Sequence, residues 1–269
     1  ARNSSQPWRK LLWVKQPYPD NYVDWSFLSR LERNSHVKRY NFSTLSIAAT
    51  ALIVHCSTVL TFVGAFWCIY NNILTASSVA AVSSISILAC LMLVSDVNEV
   101  LSFRSAITMV ITILALSPIL KSLSQSTSSD SIWSITGWLL LANICLNDYG
   151  APSNIRSSLA TNIAFSAAIV LASRLGSSLS VFCFILFSLE LFGLIPLISK
   201  TFSKTSYWIE YVLTFWLIST AFAYTMGGQL LVLFWMLISF TATVIAPLWL
   251  IRLQKYKNQI NGPWDPAKP

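Results

Sequence analysis

Long uncharged runs, broken by short polar pairs, set the pattern of this chain. No Asp, Glu, Lys or Arg occurs in the 56 residues between Arg39 and Asp96, or in the 41 between Glu210 and Arg252. A helix rises about 1.5 Å per residue, so crossing a hydrocarbon core of about 30 Å takes roughly 20 residues. Each run therefore predicts two spans. The first divides into 44–70 and 73–94 at the polar pair Asn71-Asn72, and the second divides at Gly227-Gly228. Between them 106–120, 131–147, 157–174 and 179–199 each read as one span. The first three of these are short and rich in Ser, Thr or Asn, and need a thin bilayer or shelter inside a bundle. The pattern predicts an all-α, polytopic membrane helix bundle of about eight transmembrane helices.

Outside the spans the reading gives a cytosolic N-terminal segment (1–40), the bundle (41–251) and a cytosolic C-terminal tail (252–269). Asp24 suits the cap of a short helix running to about Asn34. Trp25, Phe27, Leu28 and Leu31 would share one side of it, away from Arg30, Glu32 and Arg33. Aromatic residues beside arginines fit a helix lying in the headgroup layer.

Composition agrees with the pattern. The 269 residues are 55% hydrophobic and 10% charged, with a mean hydropathy of +0.61. A soluble domain carries roughly 25% charged residues, so a water-soluble particle is excluded. At 13% aromatic, the chain is also unlike a disordered one.

A formal net charge of +8 in a soluble chain would suggest a nucleic-acid partner; in a membrane chain it sets orientation. With eight spans both termini share a side, and that side holds sixteen Lys and Arg; only Lys121 and Arg174 remain for the other. The expectation is cytosolic termini and no nucleic acid. The basic stretches 30–39 and 252–257 would also attract anionic headgroups. No cleavable signal peptide is expected in the first forty residues, which are polar and basic.

Candidate chemistry is sparse. Cys56, Cys68, Cys90, Cys145 and Cys183 all fall within predicted spans, without a C-x-x-C pair or a His at ligand spacing, and read as buried thiols. No catalytic motif, cofactor site or metal site is visible. Ionisable residues at membrane depth are functional candidates by default. Glu190 lies well inside the sixth span and His55 near the middle of the first. Glu190 suits either a proton-carrying acid or a polar pair in the bundle. The pair is favoured because no second acid or base lies in phase with it, and His55 reads as a hydrogen-bonded interior residue. Lys121 and Arg174, at span ends, are explained by snorkelling. Two alternatives stay open on the residues alone. One is a small secondary transporter or lipid scramblase using Glu190 and His55. The other is an enzyme acting on lipid headgroups through Asp148 and Arg156, which lacks a catalytic constellation.

The strings 16–24 (QPYPDNYVD), 117–123 (SPILKSL), 147–151 (NDYGA), 171–175 (LASRL) and 251–254 (IRLQ), followed by 262–265 (GPWD), run in order along nearly the whole chain. Together they resemble the PIG-C family, one of the subunit families of phosphatidylinositol N-acetylglucosaminyltransferase. The resemblance implies an endoplasmic-reticulum membrane protein in the complex that begins glycosylphosphatidylinositol (GPI) anchor synthesis. That complex transfers N-acetylglucosamine from UDP-N-acetylglucosamine to phosphatidylinositol at the cytosolic face, and the chemistry is assigned to a separate PIG-A-like subunit. The chain is then expected to be a non-catalytic scaffold, with that transferase and other small membrane subunits as partners. Expected docking residues are Pro17, Tyr18, Pro19, Asp20, Tyr22, Trp25, Leu28, Leu31, Arg252, Pro263, Trp264 and Asp265. Arg39, Arg156, Lys255 and Lys257 are expected to meet a phospholipid headgroup, phosphatidylinositol above all.

Overall fold

The computed structural model describes residues 15, 17–19, 22, 32–34, 39–93, 103–122, 126–149, 154–203, 205–258 and 260–261. Helices dominate these residues: α1 (Phe42–Tyr70), α2 (Ala76–Leu93), α3 (Phe103–Ser122), α4 (Ser129–Leu146) and α5 (Asn154–Ala172). Next, α6 (Ser178–Leu189) passes through a π-helical turn (Glu190–Leu194) into α7 (Ile195–Phe202). Last, α8 (Trp208–Phe240) passes through a second π-helical turn (Thr241–Ile245) into α9 (Ala246–Gln254). Among the described residues three helical stretches are long and apolar enough to cross a membrane: Phe42–Tyr70, Ser178–Lys200 and Trp208–Gln254. Every predicted span between 44 and 199 coincides with a helix, and α2 to α5 are the shorter ones.

The divisions have local causes. At the end of α1, Asn72 takes a left-handed conformation, φ 57°, and the N–H groups of Ile73 and Leu74 close back on the Cys68 carbonyl. Inside α8 the helix is interrupted where the glycine pair stands. Gly227 has φ −141° and Gly228 has φ +61°, ψ −149°, a region open almost only to glycine. The segments on either side fold onto one another, with Trp216 Nε1 donating to Ser239 Oγ at 3.1 Å. Two serines start helices: Ser128 caps α4 and Ser177 caps α6, each accepting from the backbone N–H three residues on.

The chain divides into two compact units, one of residues 1–42 and 248–269, the other of residues 43–247. In the larger unit α6 is central, packed by α2, α3 and α5, while α4 lies along α5. Phe62, Phe66 and Phe184 form the aromatic heart, with ring centroids 5.2–5.4 Å apart where α1 meets α6. Along α5 the buried residues are Ala160, Ala164, Ala167, Ala168, Leu171 and Ala172. Small side chains let backbones approach closely, which is how helices associate where lipid offers no hydrophobic drive. Gly64 does the same between α1 and α8, since a Cβ there would stand 2.5 Å from Phe222 Cβ.

In the smaller unit, β1 (Glu32–Arg33) pairs antiparallel with β2 (Ile260–Asn261), matching Glu32 to Asn261 and Arg33 to Ile260. This corrects the expected end of the N-terminal helix. Glu32 and Arg33 are strand, and Asn34 is left-handed at φ 59°. The strand's partner comes from the other end of the chain, so no local pattern announces it. Trp25, Phe27, Leu28, Arg30 and Leu31 lie outside the described residues.

Candidate functional site

Three polar arrangements interrupt the apolar interior of the larger unit. The first surrounds Glu190, 6% exposed, at the start of the π-helical turn between α6 and α7. Its two carboxyl oxygens are each bonded by a hydroxyl from α2, Ser83 to Oε2 and Ser84 to Oε1. Glu190 is thus a polar tie between two helices. Adjacent serines on a helix normally face different ways; here both reach one carboxyl because its two oxygens spread the contact.

The second arrangement joins three helices. His55 Nε2 and Asn143 Oδ1 lie 3.0 Å apart, while Asn143 Nδ2 donates to the Ala160 carbonyl at 2.8 Å. Because the amide nitrogen is committed to that carbonyl, Oδ1 is the acceptor toward His55, and Nε2 carries the imidazole proton. Tyr149 closes the end of the network, its ring edge-on to His55 at 5.7 Å and its hydroxyl donating to the Ile144 carbonyl at 2.9 Å. Burial pushes the Tyr149 phenol above its usual range, so it stays a donor. Asn143, buried in the middle of this network, escaped the sequence reading. An amide inside the apolar string WLLLANICL was the available signal.

His55 stands near the middle of α1, where the sequence reading placed it. Asn143 lies three residues before the last residue of α4, whereas His55 lies thirteen residues into α1. The contact therefore sets the middle of α1 against the last turn of α4. The start of α8 meets α1 nearer its N-terminus, with Trp208 Nε1 donating to Thr50 Oγ1 at 2.9 Å. From Thr50 to Tyr70, α1 rises about 30 Å, one hydrocarbon thickness. His55 lies in a network separate from that of Glu190.

The third arrangement lies at the opposite end of the bundle. Lys121 Nζ donates to the Gly176 carbonyl at 2.7 Å, and Arg174 Nη2 donates to the Thr127 carbonyl. A cavity of about 10 Å³ adjoins Arg174, lined also by Tyr70, Ser129 and Trp133. A wider hollow of about 220 Å³ lies between the α1–α2 turn and the start of α6, lined by Asn72, Thr75, Ser77 and Ser180. Among the described residues no group of three or more His, Cys, Asp or Glu side chains comes together.

In the smaller unit, the Tyr22 N–H donates to the Pro19 carbonyl at 2.9 Å, and the Tyr18 and Tyr22 rings approach to 4.4 Å between centroids. Pro17 and Pro19 are exposed, and the two tyrosines are half-buried. Arg39, Arg252, Lys255 and Lys257 are exposed, and the Tyr40 N–H donates to Gln254 Oε1 at 3.2 Å. Asp20, Trp25, Leu28, Leu31, Pro263, Trp264 and Asp265 lie outside the described residues, as does the side chain of Arg156.

Comparison with known proteins gives a consistent result. The family described as phosphatidylinositol N-acetylglucosaminyltransferase (GPI2) matches residues 8–265. The chain is 38% identical to the phosphatidylinositol N-acetylglucosaminyltransferase GPI2 subunit of Schizosaccharomyces pombe, covering 98% of this chain and 87% of that one. It is 35% identical to the putative PIG-C-type subunit of the same transferase in Dictyostelium discoideum, over 97% of this chain and 79% of the relative. Against the Homo sapiens PIG-C-type subunit it is 32% identical, over 97% and 92%. No solved structure matches.

Proposed function

The chain belongs to the phosphatidylinositol N-acetylglucosaminyltransferase GPI2 family, and on that footing we propose that it is a non-catalytic, multi-pass subunit of the transferase complex that starts GPI-anchor synthesis. It sits in the endoplasmic-reticulum membrane, crosses it about eight times and keeps both ends in the cytosol. The sixteen-to-two distribution of cations supports that topology. Its polar interior supports a scaffold, because each buried acid, amide or cation described is committed to another helix or loop.

The observation that carries the reading is the pairing of β1 with β2. The two segments with the most distinctive strings, 16–24 and 262–265, belong to the one unit that both chain ends build. In this reading the unit presents Pro17–Leu31 and Arg252–Asp265 to the sugar-nucleotide-using subunit. Arg39, Arg156, Lys255 and Lys257 meet the phosphatidylinositol headgroup beside it. Deleting residues 262–269, or changing Trp264 to Ala, should lower co-purification of the transferase and GlcNAc transfer while leaving the chain's own abundance unchanged. Full recovery of the complex with normal transfer would overturn the docking role.

A further inference from the structure

The formal charge is not shared between the two units. Residues 1–42 and 248–269 hold twelve Lys or Arg and four Asp or Glu, whereas residues 43–247 hold six of each sign. The entire net charge of +8 therefore belongs to the smaller unit. The positive-inside bias is read from Lys and Arg near the span ends, with Asp and Glu contributing little, so it is not a net-charge rule. It does not require the loops of the bundle to be neutral while the two ends carry the whole excess.

The smaller unit has a second signature. Arg39, Tyr40, Arg252, Lys255, Tyr256 and Lys257 are all exposed, and Lys255 Nζ lies 5.0 Å from the Tyr256 ring centroid. Cations beside aromatic rings at helix ends match the headgroup layer, where rings sit at the boundary and cations meet phosphate. Arg39 comes three residues before α1 and Lys255 directly follows α9, which places both at the ends of long apolar helices. That position favours a lipid surface over an acidic protein.

These residues come from opposite ends of the chain yet fall in one unit. The Tyr40–Gln254 hydrogen bond and the β1–β2 pair hold the ends together. We infer that the joined ends form a single electrostatic clamp for anionic phospholipid headgroups of the cytosolic leaflet, one whose grip depends on the pairing of the ends. The inference rests on the cytosolic placement proposed above and specifies how the headgroup is held. Each cation near an anionic surface contributes roughly fivefold in affinity. Cations within a Debye length, about 8 Å at physiological salt, act on the same headgroups. Linking two binding segments makes the second engagement intramolecular, so separating them weakens the grip although every charge is kept.

The test uses the full chain alone, reconstituted in phosphatidylcholine vesicles with spin-labelled phosphatidylinositol, phosphatidylserine or phosphatidylcholine as reporter. A several-fold preference for both anionic lipids at low salt, falling toward none at 1 M NaCl, is expected. Neutralising Arg252, Lys255 and Lys257 to Gln should reduce it to the limit of detection. Changing Ile260 and Asn261 together to Pro keeps every charge, breaks the ladder, and should still reduce the preference at least twofold. Helical circular dichroism confirms that the bundle is intact in each variant. No preference in the unaltered chain, or one unmoved by salt and neutralisation, would overturn the clamp. Selectivity for phosphatidylinositol over phosphatidylserine would overturn its electrostatic basis, and an unchanged preference in the double-proline variant would show the ends acting separately. Because no transferase is present, these outcomes are independent of the docking result.

Discussion

Lys121 donates to the Gly176 carbonyl at 2.7 Å, in the turn that also holds Arg174, and Arg174 in turn donates to the Thr127 carbonyl. The connection after α3 and the turn after α5 thus exchange one cation each. These are the two basic residues that the charge count leaves on the non-cytosolic side. Snorkelling accounts for their position at span ends; the contacts give each a defined partner. A cation at the last turn of α3 also faces the negative end of the helix dipole.

Removing the Arg174 donor should be the more damaging change, because the group is partly buried against Tyr70 and Trp133. Arg174→Met is expected to lower stability by about 1–3 kcal/mol. The Lys121 contact is exposed, so Lys121→Met should cost less. Thermal unfolding of the two variants in nanodiscs, followed by circular dichroism, gives the ranking. The reverse order would mean that the exposed bond is the stronger tie.

The His55–Asn143–Ala160 network predicts coupling between two helices. Hydrogen bonds within membrane bundles average about 0.6 kcal/mol and reach about 1.7. Asn143→Leu removes two of them and is expected to cost about 1–3 kcal/mol in an SDS unfolding titration. His55→Leu alone should cost less, and the double variant should fall short of the sum. Strict additivity would mean that the two side chains do not share a bond in the membrane.

Several features are legible in the sequence because their causes are local. Asn71-Asn72 places two amides in an apolar run, and one of them supplies the left-handed residue that ends α1. Gly227-Gly228 is readable for the same reason, since the backbone angles of Gly228 are open almost only to glycine. The polar tie at Glu190 is expected in kind, but its partners Ser83 and Ser84 are not, because nothing in α2 marks which serines face α6. His55 is expected as a hydrogen-bonded interior residue and its contact with Asn143 bears that out, whereas Asn143 itself is not singled out, because one amide in an apolar helix gives no sign of which neighbour it meets. The β1–β2 ladder is invisible for a different reason: each strand is two residues long, too short to show alternation. Of the expected docking residues, Tyr22 closes back on the Pro19 carbonyl and brings its ring beside that of Tyr18.

Close packing of α1 on α8 makes Gly64 sensitive to one added methyl. The nearest atom to a Cβ at position 64 would be Phe222 Cβ at 2.5 Å, followed by Cγ at 2.8 Å. Gly64→Ala should therefore separate the helices and cost about 1–3 kcal/mol, as overpacking does. Phe222→Ala should not relieve the clash fully, since alanine keeps the closest atom. Phe222→Gly in the Gly64→Ala background should recover more than Phe222→Ala does, measured as midpoint in the SDS titration. Equal recovery by both would locate the clash in the ring instead.

Glu190 separates a scaffold from a transporter most cleanly. Both carboxyl oxygens are occupied by α2 hydroxyls, and the side chain is buried at a π-helical turn. Glutamine preserves one acceptor oxygen and the shape of the group, so a structural tie should survive Glu190→Gln with about 1 kcal/mol lost at most. Leucine offers the serines nothing and leaves α2 held to α6 by packing alone, so Glu190→Leu should cost about 1–2 kcal/mol. GlcNAc transfer by the assembled complex should accordingly be retained with Gln and fall with Leu in step with the amount of complex recovered. An acid that carried protons would behave otherwise, because Gln cannot ionise: function would disappear while assembly stayed intact. Transfer activity normalised to recovered complex is the deciding measurement, and its loss in Glu190→Gln would return the acid to a role in transport.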